Sequence, residues 1–179
     1  MTHDVAAGTA GTAGTAGTAR VIVVSTSAAA GDAPDRTGPG IVQWLRDAGF
    51  TVDPPRIVAD GDPAAEAVRE ALADGPSVIL TTGGTGVAPS DRTPEAVAPL
   101  LEVQLPGVIE ELRRRGADTL PHAILTRGVA GFAGDTFVMT LPGSPGGVRD
   151  GLAILAPVLP HLLAQRTGSQ DPAPHPPRD

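Results

Sequence analysis

Apolar residues follow two rhythms along this chain. Short unbroken runs, Val21-Ile22-Val23-Val24 and Val78-Ile79-Leu80, have the β-branched density of strands buried on both faces of a parallel sheet. Between them Ile41, Leu45 and Ala48 recur at helical spacing with Val42 and Trp44 alongside, and Gly49 closes the segment as a C-cap residue does. Trp44 therefore reads as core. Phe50 to Val58 offers a further strand, which Pro54-Pro55 confine to an edge or a bend. Asp62 as N-cap and Pro63 at the first helical position then open a helix that turns Ala67, Val68, Ala71 and Leu72 to the sheet. Thr93 and Pro94 repeat that signal, and 107–115 reads as another helix. Residues 123–130 and 136–141 read as two strands, joined by 131–135 into an antiparallel hairpin at the sheet's edge. An apolar helix over 148–165 follows, kinked or divided by Pro157 and Pro160. The alternation of strand and helix predicts a three-layer, doubly wound α/β domain whose sheet is mostly parallel with an antiparallel edge hairpin.

Composition narrows this. Of 179 residues, 8–19 repeat Gly-Thr-Ala four times. That run has no side chain to anchor a core, so residues 1–19 are expected to be a disordered arm. The proline-rich residues 168–179 are expected to be a disordered tail, leaving a single domain over 20–167. Aromatics make up only 2%, so the core rests on Val, Ile, Leu and Ala. A net charge of −7 argues against a nucleic-acid partner, as does the scarcity of rings on which bases could stack. No apolar run reaches the length of a membrane span and the start lacks a signal-peptide core, so no membrane partner and a cytoplasmic location are expected. The chain has no cysteine, which excludes thiolate metal sites and a disulfide framework.

The chemistry is expected between Val78 and Glu95. The strand runs into Thr82-Gly83-Gly84-Thr85-Gly86, where missing side chains let backbone N–H groups approach a phosphate. Asp91 follows, just before the Thr93 helix start. A carboxylate beside a phosphate-binding loop would repel its ligand unless a cation such as Mg²⁺ bridged them. The same residues also suit a plain strand-to-helix turn. There is no lysine for a P-loop and no dinucleotide fingerprint. Asp60 ends another strand and could point into the same cleft, or serve an Asx turn. Leu141-Pro142-Gly143-Ser144-Pro145-Gly146-Gly147 forms a second irregular loop at a strand end, with the Ser144 hydroxyl on offer. His122 and His161 stand alone in the sequence and read as surface or structural; Arg113 to Arg115 read as a solvated helix face. No nucleophile elbow is present.

Leu80 to Ala96, LTTGGTGVAPSDRTPEA, resembles the signature of the MogA/MoaB family of molybdenum-cofactor biosynthesis proteins, and LPGSPGGV its second signature. Asp35-Arg36-Thr37-Gly38 is similar to the family's Asp-x-Ser-Gly segment, Val58-Ala59-Asp60 to its acidic strand end, Gly107 to Arg113 to its Gly-x-x-Glu-x-x-Arg helix, and Thr126 to Gly131 to its Ser-Arg-Ala-Val-Ala-Gly segment. Ser25-Thr26-Ser27 and Val108-Ile109 depart from the family pattern. The resemblance implies a homotrimeric molybdopterin adenylyltransferase that uses Mg-ATP, releases pyrophosphate and stands ahead of a molybdenum-insertion protein. It implies nucleotide phosphate on Thr82, Gly83, Gly84, Thr85 and Gly86, Mg²⁺ on Asp91 with Asp60, pterin or phosphate on Ser144, Pro145 and Gly146, and Glu110 and Arg113 bracing the pocket. The alternative is a pterin- or nucleotide-binding assembly protein of the same family that does not transfer the adenylyl group. The related domain of molybdenum-insertion enzymes and the CinA-type proteins are the other neighbours; Thr85 after the paired glycines and the single Asp91 point away from the CinA type.

Overall fold

The strand that precedes the glycine loop, Val78–Thr82, is buried at all of its positions, as its unbroken apolar run requires. It lies in the middle of the sheet. In the computed structural model, which describes residues 16–168, the chain order is β1 (Thr18–Val24), α1 (Thr26–Ala29), α2 (Gly38–Asp47), β2 (Thr51–Val52), β3 (Arg56–Val58), α3 (Asp62–Ala73), β4 (Val78–Thr82), α4 (Thr93–Val97), β5 (Val103–Gln104), α5 (Pro106–Ala117), β6 (Ala130–Ala133), β7 (Thr136–Leu141), α6 (Pro145–Leu155) and α7 (Leu159–Thr167). The strand order is β2-β1-β4-β7-β6-β5, with β3 also on β1. Strands β1 to β4 and β7 run parallel; β6 pairs antiparallel with both β7 and β5.

Side-chain alternation along the strands splits the core in two. Val21, Val78, Leu80, Phe137, Met139 and Leu141 pack with Ile41 and Leu45 of α2, Leu112 of α5 and Leu152 of α6. Ile22, Val24, Ile79 and Val138 face the other way, onto Ala67 and Val68 of α3 and Val97 of α4. Helices thus cover both faces, which is the expected three-layer α/β arrangement, and the sheet carries the expected antiparallel strands at one end. Trp44 packs against the first cluster. The register places Val23 beside Thr82 and Thr82 beside Leu141, while Val24 pairs with Val58. The carboxyl ends of β1, β3, β4 and β7 therefore lie side by side, and both glycine-rich loops leave from that edge.

Several local expectations are corrected. β1 begins at Thr18, which pairs with Thr51, two residues before the expected domain start, and Ala16 N–H donates to Gly49 O at 3.0 Å; residues 1–15 of the expected arm lie outside the described residues. Of the expected tail only Gly168 is described, in the left-handed conformation that ends α7. The proline pair splits the third strand into β2 and β3, both on β1. Residues 123–129 do not form a strand: Pro121–Leu125 is a 3-10 turn, and the hairpin is the shorter β6–β7 pair. β7 lies inside the sheet on β4, and the unforeseen β5 takes the edge beyond β6. Asp62 and Thr93 are the first residues of their helices, after Gly61 and Arg92 as caps. The apolar C-terminal helix is divided at Pro157, as expected, into α6 and α7, which meet at a bend of 54°. No single helix among the described residues is long and apolar enough to cross a membrane.

Candidate functional site

The two glycine-rich loops meet at their bases. Gly83 N–H donates to Leu141 O at 3.1 Å, and the buried Thr82 hydroxyl donates to Pro142 O at 2.8 Å. From that junction they diverge and wall a cavity of about 700 Å³. Gly84, Thr85, Gly86 and Asp91 form one wall; Gly143, Ser144, Gly146, Gly147 and Arg149 form the second. Leu112 and Gly116 of α5, with Leu120, His122 and Leu125 around the 3-10 turn, form an apolar side.

Local chemistry explains each wall. Gly84 adopts φ 62°, and a Cβ there would overlap Asp60 Oδ2 and Thr93 Oγ1. Only glycine fits a left-handed residue with two polar side chains pressed behind it. A Cβ on Gly86 would stand 2.7 Å from Asp91 Oδ2, so Asp91 folds back close to the loop backbone. Thr93 N–H donates to Gly84 O at 3.1 Å, and the Thr93 hydroxyl is buried without a hydrogen-bond partner among the described residues. In the second wall Ser144 caps α6, its hydroxyl accepting from Gly147 N–H at 3.2 Å. The helix start facing the cavity is thus that of α6. α4 has only 5 residues and no side-chain cap, so little dipole stands behind the first loop and its anion preference rests on its own N–H groups.

The acids differ in what holds them. Asp91 lines the cavity, with Oδ2 accepting from Ala88 N–H at 3.1 Å. Asp60 lies behind Gly84 and is not part of the lining; its Oδ1 accepts from Gly61 N–H at 2.6 Å and Arg92 N–H at 3.0 Å. Each keeps one oxygen with no donor among the described residues. Those residues include no group of three or more His, Asp or Glu that could hold an ion unaided. Such a donor set suits Mg²⁺, which is held by one or two carboxylates and otherwise by substrate phosphate and water.

Over residues 20–161 the chain matches the family described as "probable molybdopterin binding domain". The chain belongs to this family. It is 44% identical over 151 residues to a "molybdenum cofactor biosynthesis bifunctional protein" of Synechococcus elongatus, covering 83% of this chain and 47% of that protein. It is 34% identical to a "molybdopterin adenylyltransferase" of Pyrococcus furiosus, covering 80% of this chain and 87% of that one. A solved structure of MogA superposes with a TM-score of 0.81 at 49% identity, over 83% of this chain and 99% of that one. The chain spans about half the length of the bifunctional relatives it matches.

Within this family frame, Gly84, Thr85, Gly86, Asp91, Ser144 and Gly146 do line one cavity, whereas Thr82, Gly83, Pro145 and Asp60 are not part of its lining. Arg113 braces rather than faces the space, its Nε–H donating to Thr126 O at 2.8 Å. His122, read from sequence as surface or structural, belongs to the lining. Arg149 was missed: it lies in the cavity wall with no ion-pair or hydrogen-bond partner among the described residues. Its place one residue after the LPGSPGGV segment was the available signal. Arg127 has no role legible from local sequence, because its partners lie about 40 positions away.

Proposed function

We propose that this chain transfers the adenylyl group of ATP to molybdopterin, with Mg²⁺, releasing pyrophosphate. The observation that supports this best is the junction of two glycine-rich loops around one cavity with an acid on its wall. Joining a phosphate to the α-phosphate of ATP means holding two polyanions together, and backbone N–H groups serve that end without bulk. The Gly84–Gly86 backbone takes the nucleotide phosphates. The N-terminal turn of α6 and Arg149 take the molybdopterin phosphate, and Leu112, Leu120 and Leu125 give its ring an apolar bed. A terminal oxygen of the molybdopterin phosphate bonds to the α-phosphorus of ATP as the bond to the β-phosphate oxygen breaks. No protein nucleophile is needed. Asp91 holds the cation, with Asp60 supporting from behind Gly84; bound Mg²⁺ would offset charge on the phosphate oxygens. With this reading go a homotrimer, a cytoplasmic location and a molybdenum-insertion protein as the next partner.

Incubation with ATP, Mg²⁺ and molybdopterin is expected to give adenylylated pterin and pyrophosphate in equal amounts. Tight binding of either ligand with no product would instead make the chain a binding member of the family.

A further inference from the structure

Arg127 lies outside the cavity lining, yet it bonds to the glycine loop's backbone at two points. Its backbone N–H donates to Thr85 O at 2.8 Å. Its guanidinium then spreads: Nε–H to Gly86 O at 2.7 Å, Nη2–H to Asp91 O at 2.5 Å, and Nη1–H to Glu95. We infer that Arg127 is the positioning residue of this site, one guanidinium bracketing residues 86–91 and so setting where the Asp91 carboxylate stands against the glycine backbone. The inference rests on the reading above that Asp91 holds the cation.

The bracket is needed because little else holds that segment. Val87, Ala88, Pro89 and Ser90 are exposed, and among the described residues the turn is closed only by Asp91 N–H to Ala88 O at 2.9 Å and by Ala88 N–H to the Asp91 side chain. The carboxylate belongs to that turn, so its position follows from the two carbonyls, Gly86 O and Asp91 O, that flank it. All three nitrogens of the Arg127 guanidinium are engaged there, which leaves it a positioning rather than a catalytic role. Arg127 is anchored in its turn: the Thr126 hydroxyl meets the Thr85 hydroxyl at 3.0 Å, and Arg113 donates to Thr126 O at 2.8 Å. A path of polar contacts thus runs from α5 through Thr126 and Arg127 to the acid. Only a planar fork reaches two carbonyls and a carboxylate in different directions; a lysine has one nitrogen for the three.

The test uses the full chain, Arg127→Lys and Glu95→Gln, with a non-cleavable ATP analogue carrying a methylene between the α- and β-phosphates. Backbone hydrogen exchange across 84–92 is read together with the Mg²⁺ concentration for half-maximal analogue binding. Arg127→Lys should speed exchange at the amides of Ala88 and Asp91, the two bonded within the turn, and raise the Mg²⁺ midpoint about 10- to 100-fold, as loss of a group that orients a metal ligand does. Glu95→Gln, which leaves both carbonyl bonds in place, should move the midpoint least. Should Arg127→Lys fail to fold, Arg113→Lys, which removes the Nε–H bond to Thr126 O that anchors Arg127, carries the test at lower amplitude. Wild-type exchange across 86–91 in the Arg127 variant would overturn the inference. Faster exchange with an unchanged Mg²⁺ midpoint would leave the hold on the loop standing and overturn the cation at Asp91. A lowered melting temperature alone, with both readouts unmoved, would reduce Arg127 to a structural brace.

Discussion

Asp60 and Asp91 look alike in the sequence, each an acid beyond the end of a strand, and the folded chain sets them on opposite sides of one glycine loop. Asp60 comes two residues after β3 ends at Val58. At that range it meets the starts of α3 and α4, and its Oδ1 is taken by the N–H groups of Gly61 and Arg92. Asp91 comes nine residues after β4 ends at Thr82, and the chain must double back before it reaches the loop. The longer path brings it to the cavity wall with a single backbone donor, Ala88. Helix starts need acceptors for their N–H groups, and the acid that supplies them is the less available to a ligand. Placement along the loop, rather than residue type, separates a fastening acid from a functional one.

That contrast can be broken by mutation, and the largest effect is expected at the cavity. Asp91→Asn keeps the shape and the acceptor for Ala88 N–H but removes the charge, so adenylyl transfer should fall about 10²- to 10³-fold with the melting temperature unmoved. Steady-state rates and thermal unfolding on the same preparation check it. Gly84→Ala attacks the divider between the acids. The added Cβ meets Asp60 and Thr93 at a left-handed φ, and unfolding by denaturant should show a loss of about 1–3 kcal/mol. Asp60→Asn should cost about 1 kcal/mol of stability, since its two N–H bonds lose their charge assistance, and should cost less transfer than Asp91→Asn. Equal losses of transfer in the two Asn variants would put both acids on one cation and erase the distinction.

The smallest effect concerns the ion pair at the loop's far end. The hydrogen bond from Arg127 holds the Glu95 carboxyl below its ordinary pKa. A group whose pKa is lowered on folding stabilises fully above its unfolded value, about 4.3 for glutamate, and that contribution drains away as pH falls through the lower folded value. Glu95→Gln should therefore differ from wild type by no more than about 1 kcal/mol at neutral pH, as half-exposed pairs do. The difference should close in acid. Denaturant midpoints at pH 7 and pH 3.5 measure it; a gap that widens in acid would contradict the assigned partner.

The sheet was legible because its inner strands are apolar on both faces: residues 21–24, 78–80 and 136–141 needed no partner to be recognised. β5 was not, since Val103–Gln104 is exposed and is defined by bonds from its flanks, Glu102 N–H to Phe132 O and Leu105 N–H to Ala130 O, both at 2.8 Å. Residues 123–130 misled for the opposite reason. Ile124 and Leu125 are 57% and 49% exposed, so an apolar run there marks a cavity rim and not a strand. Of the site, both loops and Asp91 could be read from local glycine and acid spacing. Arg127 and the Asp60 tether could not, because each acts through backbone groups more than 30 positions away.

The central claim is that Asp91 is the main holder of the cation that accompanies the nucleotide, with Asp60 only in support. Its most direct measurement replaces Mg²⁺ with Mn²⁺ and follows bound metal by electron paramagnetic resonance in the presence of the methylene ATP analogue. Wild type and Asp60→Asn are expected to retain the metal at concentrations where Asp91→Asn has lost it. Retention by Asp91→Asn equal to wild type, at every Mn²⁺ concentration tried, would contradict the account.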